Sequence, residues 1–329
     1  MKSFKDKIIL LTGGSGSWAQ ELTKQLLEQS PKEIRIFSRG EIAQVNMQRK
    51  FNDKRLRFII GDVRDYNSLL FACKDVNIIF HMAALKHVPI AEECPYEAIK
   101  TNILGTENLV RVAIECGVQK VVDVSTDKAA HPINLYGMTK AIGEKLTIHG
   151  ERLVQLLNGS SNTKFVCIRS GNVMGTNGSV IPHFINQIKL NNKIEITDKE
   201  MTRYFLTLPE AIELLLTASI CDLSGVIMVT KMPSCKIIDL GRILIKHYGD
   251  FNTAEIKEIG IRQGEKLHEV LVTCDEANYT YFYKDDYYVI SNKELDLPKV
   301  AFKEYTTVSQ PLMPDEQIEQ MLKDGGFLK

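Results

Sequence analysis

The sequence predicts an α/β protein built on a doubly wound parallel sheet, with a smaller C-terminal lobe. Three observations lead there. An apolar run at residues 7–12 enters a glycine-rich turn and then a helical pattern. Strand-like and helix-like segments alternate regularly to about residue 170. Beyond Ser170 the pattern loosens into shorter strands, loops and helices, with no internal repeat and no low-complexity linker. Regular alternation of this kind gives a parallel sheet covered by helices on both faces. The chain divides on this reading into a domain 1–170 and a lobe 171–329 interlocked with it.

The elements follow in order. Lys7-Ile-Ile-Leu-Leu-Thr12 is short, apolar and bounded by glycine, as a buried parallel strand is. It enters Gly13-Gly14-Ser15-Gly16-Ser17-Trp18-Ala19, and leucines at 22, 26 and 27 then mark a helix. This is Gly-x-x-Gly-x-x-Ala, a tighter relative of the dinucleotide fingerprint of Rossmann domains. Gly13 permits the turn, Gly16 lets backbone approach a pyrophosphate, and Ala19 keeps helix and strand close. Ser15, Ser17 and Trp18 belong to the same turn, and the helix N-terminus offers unpaired N–H groups to phosphate. The second strand, Glu33–Phe37, ends in Ser38-Arg39-Gly40-Glu41. An acidic residue at this strand end usually holds the ribose 2′-hydroxyl of NAD. Ser38 and Arg39 stand there instead, and a guanidinium suits a 2′-phosphate. NADP is favoured and NAD is less expected, although Glu41 is near. The third strand, Leu56–Ile60, leads to Gly61-Asp62-Val63, where Asp62 is placed to accept from an adenine amino group. The fourth, Asn77–Phe80, runs into His81-Met-Ala83-Ala84-Leu-Lys86-His-Val88, small residues where a nicotinamide would lie. A helical stretch near Tyr96–Cys116, a strand at Lys120–Ser125, a long helix from about Asn134 and a strand at Lys164–Arg169 complete the alternation.

Chemistry concentrates in Val124-Ser-Thr126-Asp127-Lys128-Ala-Ala-His-Pro-Ile-Asn-Leu-Tyr136-Gly-Met-Thr-Lys140. Tyr136 and Lys140 lie four apart, so at the start of a helix they share a face. A lysine ammonium beside a phenol favours the phenolate, which can take a proton from a sugar hydroxyl as hydride leaves the same carbon. Asp127 and Lys128 form a second acid/base pair that simple alcohol oxidation does not need. Two such pairs within one short run point to oxidation coupled to elimination. The bland alternative makes Tyr136 an ordinary aromatic and Asp127/Lys128 a solvated turn.

Composition agrees with an enzyme. The 329 residues are 44% hydrophobic and 25% charged, enough for a large core. Lys plus Arg and Asp plus Glu each number 41, so no net field draws nucleic acid or an anionic membrane. No apolar run approaches membrane-spanning length, and Met1-Lys-Ser-Phe-Lys5 leads into the first strand without a signal-peptide pattern, which reads as cytoplasmic. The seven cysteines include no Cys-x-x-Cys pair and read as reduced thiols. The seven histidines show no metal-ligand spacing, so no metal is expected. The tyrosines at 279, 281, 283, 287 and 288 with Phe282 read as a satellite core in preference to a subunit contact.

Taken together the motifs carry a resemblance. Thr12-Gly-Gly-Ser-Gly16, Gly61-Asp-Val-Arg-Asp65, Ala83-Ala-Leu-Lys-His-Val-Pro89, Lys100-Thr-Asn102, Ser125-Thr-Asp-Lys128, Asn134-Leu-Tyr-Gly137, Gly171-Asn-Val173, Met201-Thr-Arg203 and Gly264-Glu-Lys-Leu-His268 span most of the chain. The chain resembles the UDP-N-acetylglucosamine 4,6-dehydratase (inverting) family of extended short-chain dehydrogenase/reductases, whose members begin pseudaminic acid biosynthesis. Tyr136 fits the inverting branch, because retaining relatives commonly carry methionine there. The resemblance implies that Tyr136, with Lys140 and Thr126, takes the 4-hydroxyl proton while C4 hydride passes to NADP. It implies that neutral Lys128 removes the C5 proton and protonated Asp127 helps the C6 hydroxyl leave, burial and proximity shifting both groups toward those states. Hydride then returns to C6. Lys86, Asn172, Arg203, Arg262 and Glu265 match positions that hold the UDP-sugar, the arginines suiting a diphosphate. A homo-oligomer, dimer or hexamer, is implied as well.

Three departures qualify the match. Ala19 replaces a third glycine, His131 stands where relatives often have asparagine, and Ala98 stands where inverting relatives often have a cysteine thought to sit near C5. A methyl group donates no proton, so the resemblance leaves two products open: the 5-inverted 4-keto-6-deoxy sugar or a 5,6-ene. Two other functions stay open, a UDP-sugar 4-epimerase, which has no use for Asp127/Lys128, and a non-catalytic NADP-binding regulator.

Overall fold

A computed structural model describes residues 4–157, 161–176, 179–250, 252–284 and 286–328. The first three residues of the Met1–Lys5 segment lie outside these. Six parallel strands come in the sequence order expected: β1 (Ile8–Thr12), β2 (Glu33–Ser38), β3 (Leu56–Ile60), β4 (Ile78–His81), β5 (Lys120–Val124) and β6 (Lys164–Arg169). In space they lie 3-2-1-4-5-6, the doubly wound order whose reversal beside β1 makes a ligand crevice at the strand carboxyl ends. Successive residues of a strand face opposite sides, and β1 divides accordingly. Ile9 and Leu11 join one core with Leu22, Leu26, Phe80 and Val122, while Ile8 and Leu10 join the other with Phe37, Leu69, Ile79 and Val121. Apolar residues on both faces explain why these strands read as continuous hydrophobic runs.

The chain after Ser170 contributes to both lobes. Val226–Thr230 pairs in parallel with β6, and the antiparallel hairpin Thr280–Tyr283/Tyr287–Ser291 extends the same sheet to nine strands. The tyrosine run is therefore no satellite. Tyr287 lies in the main core, and Phe282 and Tyr288 pack with Phe302 and Tyr305 against the sheet end. Sequence periodicity could not reveal this, because the pairing partner that decides it, Val226–Thr230, is remote in sequence. A separate core gathers Ile181, Phe184, Ile194, Phe205, Leu240, Leu244, Ile318 and Leu322, all from the C-terminal half.

The helix expected at 96–116 is interrupted. Pro95–Ile99 passes into a π-helical turn at Lys100–Leu104 before Gly105–Glu115 resumes. Such single-turn bulges recur at functional sites. The long helix is Leu135–Leu156, capped by Asn134, whose Oδ1 accepts from Gly137 N at 2.8 Å. Among the described residues no helix is long and apolar enough to cross a membrane.

Candidate functional site

The carboxyl ends of the strands open on one cavity of about 920 Å³. The C-terminal lobe closes its far side with Asn172, Arg203, Arg262, Glu265, Lys266 and Glu269. The glycine turn forms one end. Gly13 has φ of +65°, and a Cβ there would meet Ala83 N at 2.8 Å and Met82 O at 2.9 Å. The turn after β1 and the segment after β4 thus touch backbone to backbone, which only glycine allows. The helix Ser17–Glu28 follows with Gly16 at its N-cap, no side-chain cap bond and no acidic residue in its first turn. Its N–H groups stay open toward the cavity that Ser15, Gly16, Ser17 and Trp18 line, an arrangement suited to a phosphate anion.

Beside it, the Ser38 hydroxyl accepts from Ser15 Oγ at 3.1 Å and Gln44 Nε2 at 3.0 Å. The Arg39 side chain is 57% exposed, with its guanidinium 3.9 Å from Asp62, so it is free to meet an incoming group. Asp62 lines the cavity with Val63, but both its oxygens are engaged by Arg64, through backbone N at 3.0 Å and guanidinium at 2.6–2.8 Å. Burial alone would raise its pKa; the Arg64 bonds and the Arg39 charge outweigh that and hold it low. Ala83, Ala84 and Lys86 line the next stretch. A residue without an assigned role holds that stretch in place. Asn102, in the π-turn, accepts from Leu85 N at 2.8 Å and donates to Leu85 O at 3.0 Å and to Thr139 Oγ1 at 3.0 Å.

The catalytic candidates meet at the middle of the cavity. Asp127 N bonds Ser170 O at 2.9 Å, and Gly137 packs so closely that a Cβ would lie 2.2 Å from Lys128 O. These contacts fold the Thr126–Lys128 run against the first turn of the long helix, so that Thr126, Lys128 and Tyr136 line the cavity together. Lys140 lies behind them, buried, 3.4 Å from Asp123, whose other oxygen accepts from Thr147 at 3.3 Å. Burial works to lower the Lys140 pKa, yet Asp123 and Tyr136 raise it overall and keep the ammonium charged. The ammonium acts on Tyr136 in the expected direction, toward the phenolate, but burial acts more strongly the other way. Burial raises the phenol, and Lys140, Lys128 and the Thr126 hydrogen bond pull it back only in part, so it rests above its ordinary value.

Asp127 does not border the cavity. It is 1% exposed, and its Oδ1 accepts from Thr126 Oγ1 at 2.9 Å and Lys128 Nζ at 3.0 Å. Lys128 is bracketed on its other side by Glu269, 3.6 Å away. Burial tends to neutralise Lys128, but the two carboxylates prevail and hold it charged. Proximity therefore works against the neutral state expected of Lys128 in the free protein. Glu269 is the residue the sequence reading missed, one position past the Gly264–His268 motif. It is buried, lines the cavity, and also lies 3.6 Å from Arg203 Nε. Arg203 donates to Thr202 O at 2.8 Å and Leu267 O at 3.2 Å. Asn134 Nδ2 donates to Gly264 O at 2.8 Å and ties the long helix to the lobe. Arg262 is exposed, and the Glu265 carboxylate accepts from its backbone N at 3.3 Å.

Of the departures, Ala98 is fully buried and is not part of the cavity lining; Thr101, one turn on, is. His131 has φ of +47°, a left-handed conformation that asparagine also tolerates, which accounts for the exchange. Exposed His131, Cys274 and Asp275 bring ligand atoms within 4.8 Å of one another, a grouping that sequence spacing does not announce.

Fold and cavity together define an extended short-chain dehydrogenase/reductase. A family model described as polysaccharide biosynthesis protein matches residues 9–291, and the chain belongs to that family. It is 42% identical over 290 residues to UDP-N-acetylglucosamine 4,6-dehydratase (inverting) of Campylobacter jejuni subsp. jejuni serotype O:23/36 (strain 81-176), covering 88% of this chain and 84% of that one. It is 41% identical over 345 residues to a UDP-glucose 4-epimerase of Rickettsia bellii (strain OSU 85-389), covering 99% and 98%. Among solved structures, that of Pen from Bacillus thuringiensis superposes with a TM-score of 0.92 at 37% identity, covering 99% of this chain and 100% of that one. The resemblance read from the motifs is borne out at the level of family: a nucleotide-sugar dehydratase/epimerase chain.

Proposed function

We propose that this chain is an NADP-dependent UDP-N-acetylglucosamine 4,6-dehydratase that oxidises C4 and eliminates water across C5 and C6. One observation carries the reading. Thr126, Lys128, Tyr136 and Glu269 converge on the middle of a single cavity that runs from a phosphate-fitting glycine turn to a pair of arginines. An epimerase needs the tyrosine but no buried charge cluster beside it.

The Gly13–Trp18 turn would hold the cofactor pyrophosphate, and Ser38 with exposed Arg39 would receive a 2′-phosphate, where a guanidinium makes charge-assisted bonds. Asp62 and Val63 would border the adenine, and Ala83, Ala84 and Lys86 the nicotinamide half. A nicotinamide held there would supply the acceptor, and later the donor, for the sugar's hydride. The C-terminal lobe would hold the sugar nucleotide: Arg203 and Arg262 would take the diphosphate, and Asn172 and Glu265, with Lys86 from across the cavity, the remaining polar groups. Tyr136 accepts the C4 hydroxyl proton, helped by Thr126 and by the Lys140 charge. The 4-ketone acidifies the C5 proton, which Lys128 removes, while a buried carboxyl beside Lys128 protonates the departing C6 hydroxyl. With alanine at position 98, the product leaves either as the inverted 4-keto-6-deoxy sugar or as a 5,6-ene.

The rickettsial relatives named UDP-glucose 4-epimerase favour a second reading, simple inversion at C4. Incubating the protein with NADP and UDP-N-acetylglucosamine and following the sugar by NMR separates the two. Loss of the C6 oxygen, with a new methyl doublet or vinylic signals, is expected. A C4 epimer that keeps its C6 hydroxymethyl group would overturn the dehydratase reading.

A further inference from the structure

We propose that His131, Cys274 and Asp275 form a zinc-binding site that fastens the loop after Lys128 to the C-terminal lobe. The site is separate from the cavity and does not depend on the dehydratase reading. A ring nitrogen of His131, the Cys274 Sγ and an Asp275 carboxylate oxygen all lie within 4.8 Å of one another. None of the three residues lines the cavity. His131 comes from the turn before the long helix, and Cys274 and Asp275 open the short helix Cys274–Ala277. The ligands thus meet only in the folded chain, which is why histidine and cysteine spacing announces no motif.

The donor set selects the ion. Nitrogen, sulfur and carboxylate oxygen together suit zinc, whereas magnesium and calcium take oxygen ligands. Zinc holds sulfur at about 2.3 Å and nitrogen or oxygen at about 2.0–2.2 Å, so tetrahedral ligand atoms sit about 3.5 Å apart. The observed group is slightly wider than that. Among the described residues, none of the three side chains makes a hydrogen bond or ion pair, with one another or with a neighbour. All three are exposed, so side-chain rotation closes the gap without breaking any existing contact. On binding, the thiol gives its proton to solvent as the sulfur–zinc bond forms, and no electrons are transferred. Three protein ligands leave a fourth position for water.

The backbone on both sides is already fixed. Lys266 Nζ donates to Ala130 O at 2.5 Å, next to His131, and Ala129 and Ala130 are buried. Across the gap, Thr273 and Glu276 form a reciprocal cap: Glu276 N donates to Thr273 Oγ1 at 3.2 Å, and Thr273 N to Glu276 Oε2 at 3.0 Å. Glu276 is held in turn by Arg169. An ion therefore finds its ligands on two rigid supports, which lowers the ordering cost of binding.

The test titrates reduced, metal-free, full-length protein with Zn²⁺ against a chromogenic chelator, and with Co²⁺ as a spectroscopic probe. One equivalent of zinc should bind, and cobalt should show sulfur-to-metal charge-transfer absorption with the strong visible bands of a tetrahedral ion. Losing an outer-shell partner of a metal ligand costs about 10–100-fold in affinity, so Cys274→Ser and His131→Asn should each cost at least about 100-fold. Asp275→Ala should weaken binding as well. Cys274→Ser should also remove the charge-transfer band, while Cys94→Ser, which alters the other exposed thiol, should change nothing. Zinc should raise the melting temperature of the wild type by mass action and leave that of Cys274→Ser unmoved. Without metal, the variants should melt with the wild type, because the altered side chains are exposed and unpaired. No zinc uptake by the wild type would overturn the proposal. So would uptake that survives Cys274→Ser or His131→Asn, uptake lost with Cys94→Ser, or displacement of zinc by an equal concentration of Mg²⁺.

Discussion

At the scale of single residues, the site is a set of charges whose neighbours decide their protonation. Tyr136 is the clearest case. Burial holds its phenol above the ordinary value, and the Lys140 ammonium partly offsets that, so the base form is scarce at neutral pH and grows as pH rises. The rate of C4 oxidation should therefore climb through the alkaline range. Lys140→Met removes the offsetting charge, so the Tyr136 phenol moves further up and the rising limb shifts to higher pH, with a loss near neutrality of order 10²-fold. Single-turnover reduction of nicotinamide, measured across pH, reads this directly. A limb that stays in place in the variant would remove Lys140 from the role. The substitution leaves Asp123 with Thr147 alone, so a melting curve must accompany the kinetics. Tyr136 and Lys140 were legible from their four-residue spacing. Asp123 was not, because it sits inside an apolar strand and gains meaning only from the lysine above it. Glu269 was missed for the same reason: its partners Lys128 and Arg203 are remote in sequence.

At the scale of elements, the ends of β1, β5 and β6 had boundaries legible to within about one residue, since apolar runs stop where glycine or polar residues begin. What joins those elements was hidden. Arg169, the last residue of β6, is fully buried and bonds Glu144 of the long helix at 2.7 and 3.0 Å and Glu276 of the lobe at 2.8 and 2.9 Å, with Leu271 O at 2.8 Å. Nothing in its sequence neighbourhood distinguishes it from a surface charge at a strand end. One guanidinium thus fastens strand, long helix and lobe. Glu144→Ala should cost about 3–5 kcal/mol, because it leaves a buried cation short of a partner. Arg169→Met should cost less than that only if both glutamates find water. Denaturant unfolding of the two variants measures the order. The pH dependence has a definite sign. Burial tends to raise Glu276, but its bonds to Arg169 and Thr273 prevail and hold its folded pKa low. Its stabilisation is present above the unfolded carboxyl value and is lost as pH falls through the folded one. A Glu144→Ala protein as stable as wild type would mean that Glu276 alone satisfies Arg169.

At the scale of the whole molecule, the alternation of strands and helices made the doubly wound sheet readable, and the loosening after Ser170 marked a second lobe. The return of the chain to the sheet was not readable. Local pattern says that Val226–Thr230 and Tyr287–Ser291 are strands but not which edge they join. Their position has a consequence for a fragment cut at residue 170. Such a fragment keeps the glycine turn, all six strands of the 3-2-1-4-5-6 order and the Tyr136/Lys140 pair, and by sequence it looks complete. In the structure, however, β6 is an interior strand whose outer neighbour is Val226–Thr230. The core face carrying Leu22 and Leu26 is covered by Ile212, Leu214, Leu215 and Ala218 of the helix Leu208–Ile220. Removing residues 171–329 exposes that face, unpairs the long apolar edge of β6 and strips Glu276 from Arg169. An exposed hydrophobic edge strand templates aggregation, and a large apolar patch has the same effect. Fragment 1–170 should therefore be expanded and prone to associate, binding a hydrophobic dye strongly, melting without a sharp transition and failing to hold NADP. Extending it to residue 291 should restore cooperative unfolding, because the sheet then regains its covering helix and three outer strands. A 1–170 fragment that melts sharply and binds NADP as tightly as the full chain would show that the first six strands are self-sufficient and that the interlocking contributes only to the sugar site.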